Sequence, residues 1–276
     1  TAPGHSHTRA HTIKEKQLTS DKKRSYQTVV HLENKKLIQI ATQEFPRALL
    51  SDEGNGDYAL ISTTEPYQLS SQWTGQFSKN DLKVINVNSG LSRMAIQSNP
   101  SYSRLSPKGK YAYGYNQIDS TWYTYNIETS KYTELTRGKI FYNELSDYPD
   151  FPRSYGLAGW TDDDNSILIY DRYDIWEFNP DNAKSKRLTM GRETKTSFRY
   201  IKLDTEERYI DSSKKMLLSS FNDQSKKAGY FEYNYKKNTG KNLINGPHRY
   251  SRIKKARLNE NIIFTRESFI EFPNIL

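Results

Sequence analysis

An all-β chain built from repeated antiparallel units is predicted by three features of the sequence. Short runs alternate apolar and polar residues, turn-forming clusters separate the runs, and the whole pattern recurs every ~40 to 55 residues. Tyr111, Tyr113 and Tyr115 fall on one face of a strand over 110–115, and Phe231, Tyr233 and Tyr235 alternate with Glu232 and Asn234 over 230–235. Both read as half-buried strands. Asn88-Ser89-Gly90, Glu128-Thr129-Ser130, Pro180-Asp181-Asn182 and Asn238-Thr239-Gly240 hold the residues that tight turns require.

The recurrence is clearest in the middle of the chain. Ser106–Lys110, Tyr111–Tyr115, Thr121–Asn126 and Tyr132–Thr136 align with Thr161–Asn165, Ser166–Tyr170, Asp174–Phe178 and Arg187–Thr189. Trp122 and Trp176 are then 54 residues apart, and Leu135 and Leu188 are 53 apart. A third copy takes in Met216–Phe221, Ala228–Tyr235 and Leu243, which puts Phe231 in the place of the two tryptophans. Looser copies lie at Tyr58–Ser62 with Leu82–Val87 and at Gln27–Leu32 with Leu37–Ile40, and a further one opens at Lys255–Leu258.

Units of this length with about four strands each and no helical spacing fit the blades of a β-propeller. A β-helix needs shorter repeats, an ankyrin-type array needs helices, and a sandwich shows no self-similarity. With 276 residues the chain supplies about five four-stranded blades and a fragment. Phe264–Leu276 reads as a strand pair interrupted mid-blade, so the expectation is part of a larger propeller. Residues 1–20 are expected to be a flexible segment and 21–276 the partial propeller domain, nearly all β.

Composition agrees and excludes several classes. Only 34% of residues are hydrophobic and the mean hydropathy is −0.90, but 4 Trp, 21 Tyr and 11 Phe provide buried area that aliphatic residues do not. No apolar stretch approaches the ~20 residues of a membrane span. With no cysteine, disulfides, thiolate metal sites and Cys nucleophiles are excluded, and either a reducing cytosol or an envelope protein fits. The net charge of +9 comes from short groups such as Lys22-Lys23-Arg24, Lys226-Lys227 and Lys236-Lys237 at turn-like places. Solvated turns and guarded strand edges explain these better than nucleic-acid binding does.

The run Tyr155-Gly156-Leu157-Ala158-Gly159-Trp160-Thr161-Asp162-Asp163-Asp164-Asn165-Ser166-Ile167-Leu168-Ile169-Tyr170-Asp171-Arg172-Tyr173-Asp174-Ile175-Trp176 resembles the propeller of prolyl-oligopeptidase-family, dipeptidyl-peptidase-like serine peptidases, especially the large Bacteroidetes-type envelope forms. Leu105–Tyr111, the closings Leu135-Thr136 and Leu188-Thr189 leading to Gly191-Arg192, and Phe264–Phe269 are similar too. The resemblance implies a propeller that caps an α/β-hydrolase domain with a Ser–Asp–His triad, admits only short peptides, and works in the periplasm or cell envelope. This sequence holds no G-x-S-x-G nucleophile elbow, so the hydrolase domain is absent from the chain and no catalytic residue is assigned. Alone, the chain is expected to hydrolyse nothing. Its partners would be the C-terminal hydrolase domain of the same parent and short peptides.

The resemblance also directs attention to Glu206 and Glu207, because dipeptidyl peptidases hold a substrate's amino terminus with paired propeller carboxylates. Asp204-Thr205-Glu206-Glu207-Arg208 reads equally as a solvated turn, and the family's flanking residues are not reproduced. His5, His7 and His11 follow no ligand geometry, and the isolated His31 and His248 read as structural. Asp162-Asp163-Asp164 occupies the place of Pro107-Lys108-Gly109 one unit earlier, which favours a strand-entry turn over a calcium site. No metal or cofactor is expected. A stand-alone TolB-like scaffold propeller is the alternative function. A propeller sialidase is disfavoured because its S-x-D-x-G-x-T-W boxes are missing.

Overall fold

The computed structural model describes residues 18–74, 79–259 and 261–276. His5, His7, His11 and most of the expected flexible segment 1–20 lie outside these. A helical turn at 18–22 (α1) precedes a hairpin of β1 (Thr28–His31) and β2 (Lys36–Gln39). Four four-stranded antiparallel sheets follow. The first comprises β3 (Arg47–Leu50), β4 (Tyr58–Thr63), β5 (Asn80–Asn86) and β6 (Ser92–Asn99). The second comprises β7 (Arg104–Leu105), β8 (Tyr111–Asn116), β9 (Thr121–Asn126) and β10 (Tyr132–Glu134). β11 (Leu157–Trp160), β12 (Ile167–Tyr170), β13 (Ile175–Phe178) and β14 (Ser185–Arg187) form the third. The fourth is β15 (Thr196–Tyr200), β16 (Lys215–Asn222), β17 (Ala228–Asn234) and β18 (Thr239–Gly246). A three-stranded sheet of β19 (Arg249–Lys255), β20 (Ile262–Ser268) and β21 (Glu271–Ile275) comes last. Within every sheet, strands pair in sequence order, which is the meander of a propeller blade.

One recurring device closes the hairpins. Asn86 Oδ1 accepts the N–H groups of Asn88 (3.0 Å) and Ser89 (2.8 Å), and Asn126 and Asn179 do the same for the residues two and three positions on. Asn222 repeats it between β16 and β17. Four residues after each of these asparagines the chain turns left-handed, at Gly90 (φ 80°), Ser130 (61°), Ala183 (58°) and Lys226 (58°). That residue's N–H returns to the asparagine carbonyl. The side-chain carbonyl thus replaces backbone acceptors within the turn, and the left-handed residue restores the strand twist.

The predicted units fall on the observed blades, with three corrections. First, α2 (Gln68–Thr74) and a 3-10 turn over Glu65–Tyr67 interrupt the expected all-β course between β4 and β5. Pro66 suits a first turn, and Tyr67 Oη donates to Asp81 Oδ1 at 2.6 Å, which anchors the insert to β5. At seven residues the helix is too short to display an apolar stripe. Second, Trp122 and Trp176 lie on equivalent third strands but one residue out of step. Trp122 N–H donates to Thr136 Oγ1 (2.9 Å), and it is Ile175 N–H that donates to Thr189 Oγ1 (3.1 Å). The third strands therefore repeat at 53 residues, and the two indoles face opposite sides of their sheets. Third, the strand containing Tyr111 and Tyr113 is not half-buried: Tyr111, Ala112 and Tyr113 are all buried, as is the whole of β12.

The chain forms two compact units. One runs to Asp119 and includes Tyr123–Tyr132; the other holds Ser120–Trp122 and Thr133–Leu276. In the first unit Ala59 and Ile61 pack with Ile38, Ile40 and Phe45, whereas Leu60, between them, packs with Leu82, Val84 and Tyr125. β4 is thus buried on both faces, which explains its continuous apolar run. The second unit's core gathers Leu168, Ile175, Leu188, Phe198, Leu218 and Tyr233.

Candidate functional site

β15 and the loop over 201–214 carry the predicted carboxylate pair. Asp204 Oδ1 accepts Glu206 N–H at 2.9 Å, and Asp204 O accepts Glu207 N–H at 3.3 Å, so the pair begins as an Asx turn. The two side chains then diverge in environment. Glu206 is exposed, while Glu207 is half-buried and its Oε2 accepts the Tyr200 hydroxyl at 3.2 Å. Burial, then the neighbouring Glu207 charge, raises the Tyr200 phenol well above its ordinary range, so it stays a neutral donor.

Beside Tyr200 stands Arg199, which the sequence analysis did not single out. Its guanidinium donates to the carbonyls of Phe198 (2.7 Å), Arg172 (2.9 Å) and Asp171 (3.1 Å) and lies 4.6 Å from the Tyr170 ring centroid. Burial lowers its pKa, and the carbonyl dipoles and the ring face oppose that cost by favouring the cation. Tyr170 Oη accepts the Tyr200 N–H at 2.9 Å and joins the two residues.

This group rests on a buried acidic staple at the β12–β13 turn. Asp171 Oδ1 accepts Tyr173 N–H (2.8 Å) and Asp174 N–H (2.5 Å), while its Oδ2 accepts Trp176 Nε1 (3.1 Å) and Arg192 Nη2 (3.3 Å). Asp174 is fully buried. Its Oδ1 accepts Thr189 Oγ1 (2.7 Å) and Gly191 N–H (2.5 Å), and its Oδ2 accepts Arg187 Nη2 (2.6 Å) and Arg192 N–H (3.1 Å). Arg187 also grips Glu193 through both of that residue's oxygens. In the preceding blade the place of Asp174 is taken by Thr121, so the repeat pattern gave no hint of the staple. Its signal was the pair of acids three residues apart where the run over 166–170 gives way to the run over 174–178.

The Arg187 hydrogen bonds lower the Glu193 pKa from 4.5 to about 2. Ser213 similarly lowers Asp211, and Arg266 lowers Glu271. A carboxyl whose folded pKa lies below its unfolded one stabilises the fold above the unfolded value and loses that contribution as pH falls through the folded one. Urea midpoints should therefore fall steadily from pH 4.5 toward about 2, and Glu193→Gln should flatten part of that slope. A midpoint constant across this window would contradict these pairings.

The remaining candidates take structural places. Asp162–Asp164 is a 3-10 strand-entry turn: Thr161 Oγ1 accepts Ser166 N–H at 3.0 Å, as Ser106 Oγ accepts Tyr111 N–H at 3.0 Å one blade earlier. His31 Nε2 lies 2.9 Å from Val87 O. His248, isolated in sequence, is brought 3.3 Å from Glu271 Oε2 by the pairing of the last sheet. Among the described residues no group of three or more acids and histidines is placed to hold a metal ion, and no helix is long and apolar enough to cross a membrane.

No family model matches the chain, and no curated protein matches it in sequence. Solved structures do match in fold. A protein described as a dipeptidyl aminopeptidase IV from Bacteroides ovatus aligns with a TM-score of 0.50 and 11% identity over 92% of this chain and 45% of its own. Porphyromonas gingivalis dipeptidyl peptidase 4 gives 0.49 and 10%, over 94% and 46%. A TolB-type protein from Agrobacterium tumefaciens gives 0.40 and 16%, over 76% and 70%. The chain thus spans less than half the length of the two peptidases. With the Bacteroides ovatus protein it shares the fold, an all-β assembly of propeller blades.

Proposed function

We propose that the chain is the non-catalytic propeller portion of a prolyl-oligopeptidase-like serine peptidase of the cell envelope, and that it limits access of peptides to a hydrolase domain in the same parent polypeptide. The observation that carries this reading is the specific run 155–176, which lies on β11, β12 and β13 and contains both acids of the staple. The agreement in fold with the Bacteroides ovatus protein supports it. A blade assembly has the rigidity a size filter needs, because each four-stranded sheet has a hairpin fixed by an asparagine side chain.

In this reading Glu206 and Glu207 receive the ammonium group of a short peptide. Glu207 has the larger share, because a half-buried carboxylate oriented by Tyr200 attracts a cation more strongly than one fully in water. In the parent enzyme Glu207→Gln should raise KM for peptides with free amino termini about ten-fold and leave kcat nearly unchanged. Glu206→Gln should change KM less. Equal KM values for wild type and the double variant would remove the pair from substrate binding. The chain by itself should cleave no peptide, since it has no activated nucleophile. Cleavage blocked by a serine-directed inhibitor would overturn that assignment, and a parent lacking any hydrolase domain would leave a scaffold role.

A further inference from the structure

Charge is not spread evenly along this chain. Its 276 residues hold 41 Lys and Arg against 32 Asp and Glu, yet the 27 residues 233–259 contain eight of the cations and no carboxylate. The rest of the chain carries 33 against 32 and is nearly neutral. Five of the eight lie on β19 or just after it: Arg249, Arg252, Lys254, Lys255 and Arg257, all exposed. Protection of a strand edge accounts for an occasional lysine, and this density asks for a further reason.

Within its sheet β19 pairs with β20 alone, so its other edge is open. Phe264 exchanges both backbone hydrogen bonds with Leu276 (3.1 and 2.9 Å), so Phe264 turns toward β21 and the next residue, Thr265, turns toward β19. Ser251 stands opposite Thr265, and Tyr250 beside it therefore presents its N–H and C=O to the open edge. The ladder then bulges. From Ser251 to Lys254 is three steps on β19 but two on β20, and Arg252 is left-handed at φ 51°. A non-glycine residue seldom takes that conformation, and a bulge re-aims the side chains around it. Local pairing offsets little of the charge: Glu267 lies 3.0 Å from Arg249, and Glu232, 3.7 Å from Lys241, is already held by Lys215 at 3.1 Å.

We propose that β19 binds an extended acidic peptide, which pairs with its open edge and sets aspartate or glutamate side chains against Arg252, Lys254 and Arg257. An open edge and a row of cations each admit several partners. A peptide is the polyanion that uses both, because it brings N–H and C=O groups of its own. Nucleic acid and lipid headgroups answer the charge alone. Single-stranded nucleic acid also calls for open aromatic rings on which bases stack, whereas Tyr250, the aromatic residue of this strand, packs against Tyr230 and Phe264. The same cations repel a second copy of β19, which reserves the edge for a partner of opposite charge. The proposal does not depend on the peptidase reading.

Fluorescence anisotropy with the whole chain tests it, using a labelled octapeptide that alternates Glu and Val and is acetylated so that it offers no ammonium group to Glu206 or Glu207. Binding should saturate, and raising the salt from about 50 to about 500 mM should weaken it at least about five-fold. The matching Lys-Val peptide should not bind. Replacing Arg252 and Lys254 together by Gln should weaken binding about five-fold and leave the melting temperature unchanged, because both side chains are exposed. The Glu-Val peptide N-methylated along its centre keeps its charge but cannot pair as a strand, and it should lose at least as much. No saturation by about 1 mM peptide, an unchanged Kd for the double variant, or full affinity of the N-methylated peptide would each overturn the proposal. So would tighter binding of an oligothymidylate or of phosphatidylglycerol vesicles, which would assign the charge to another partner.

Discussion

Replacing Asp174 by Ala should lower the unfolding free energy by about 3–5 kcal/mol, read from urea denaturation at neutral pH. The carboxylate is fully buried and collects donors from the strand after it and from the turn beyond. Its loss leaves the Thr189 hydroxyl and the Gly191 N–H without their acceptor, and Arg187 keeps only Glu193, which lies in water. A buried pair broken on one side costs more than the pair itself contributes, because the surviving groups remain desolvated. Asp174→Asn keeps one acceptor oxygen but removes the charge that Arg187 faces, so it should fall between wild type and Asp174→Ala. A loss under about 1 kcal/mol for the alanine variant would mean that water replaces the carboxylate and that the site is not a staple.

Gly191→Ala should be nearly as damaging, at about 3 kcal/mol. A Cβ at Gly191 would stand 1.9 Å from Thr196 O and 3.1 Å from both Asp174 Oδ1 and Phe198 Cδ2. The nearest of these is backbone and cannot swing aside. Gly191 O also accepts Thr196 N–H at 2.8 Å, so shifting this segment to make room would open the link into β15 and pull Gly191 N–H from Asp174. Gly191→Ala and Asp174→Ala act on the same hydrogen bonds, so their combined cost should be well below the sum of the two. Additive costs would show that Gly191 matters only through its own turn.

Much of this architecture was legible because it is local and repeated. Recurrence of the unit located Tyr58–Ser62, Leu82–Val87 and Ala228–Tyr235 as strands, and turn residues placed four of the hairpins to within a few residues. Matching the tryptophans rather than the Leu-Thr closings misled the register by one position, because a large aromatic fits either face of a sheet buried on both sides. The asparagine four residues ahead of each left-handed position was also in plain view at Asn86, Asn126 and Asn179. Turn composition drew attention to the turn itself and away from the strand end that anchors it.

The candidate site was less legible, because its members meet through sheet packing. Nothing in the local sequence links Tyr200 to Tyr170, thirty residues earlier, or Arg199 to the carbonyls of Asp171 and Arg172. Glu206 and Glu207 were visible as an acidic pair, but their difference was not. It arises from Tyr200, which reaches Glu207 alone.

The most direct test of the peptidase reading is kinetic. In the parent enzyme, kcat/KM should be measured for free-amino-terminus peptides of increasing length and for a folded protein containing the same cleavable sequence. A filter built of rigid blades predicts efficient turnover of short peptides, a steep fall with length, and no cleavage of the folded protein. Turnover independent of substrate length, or cleavage of the folded protein at a comparable rate, would contradict a gating role for this propeller.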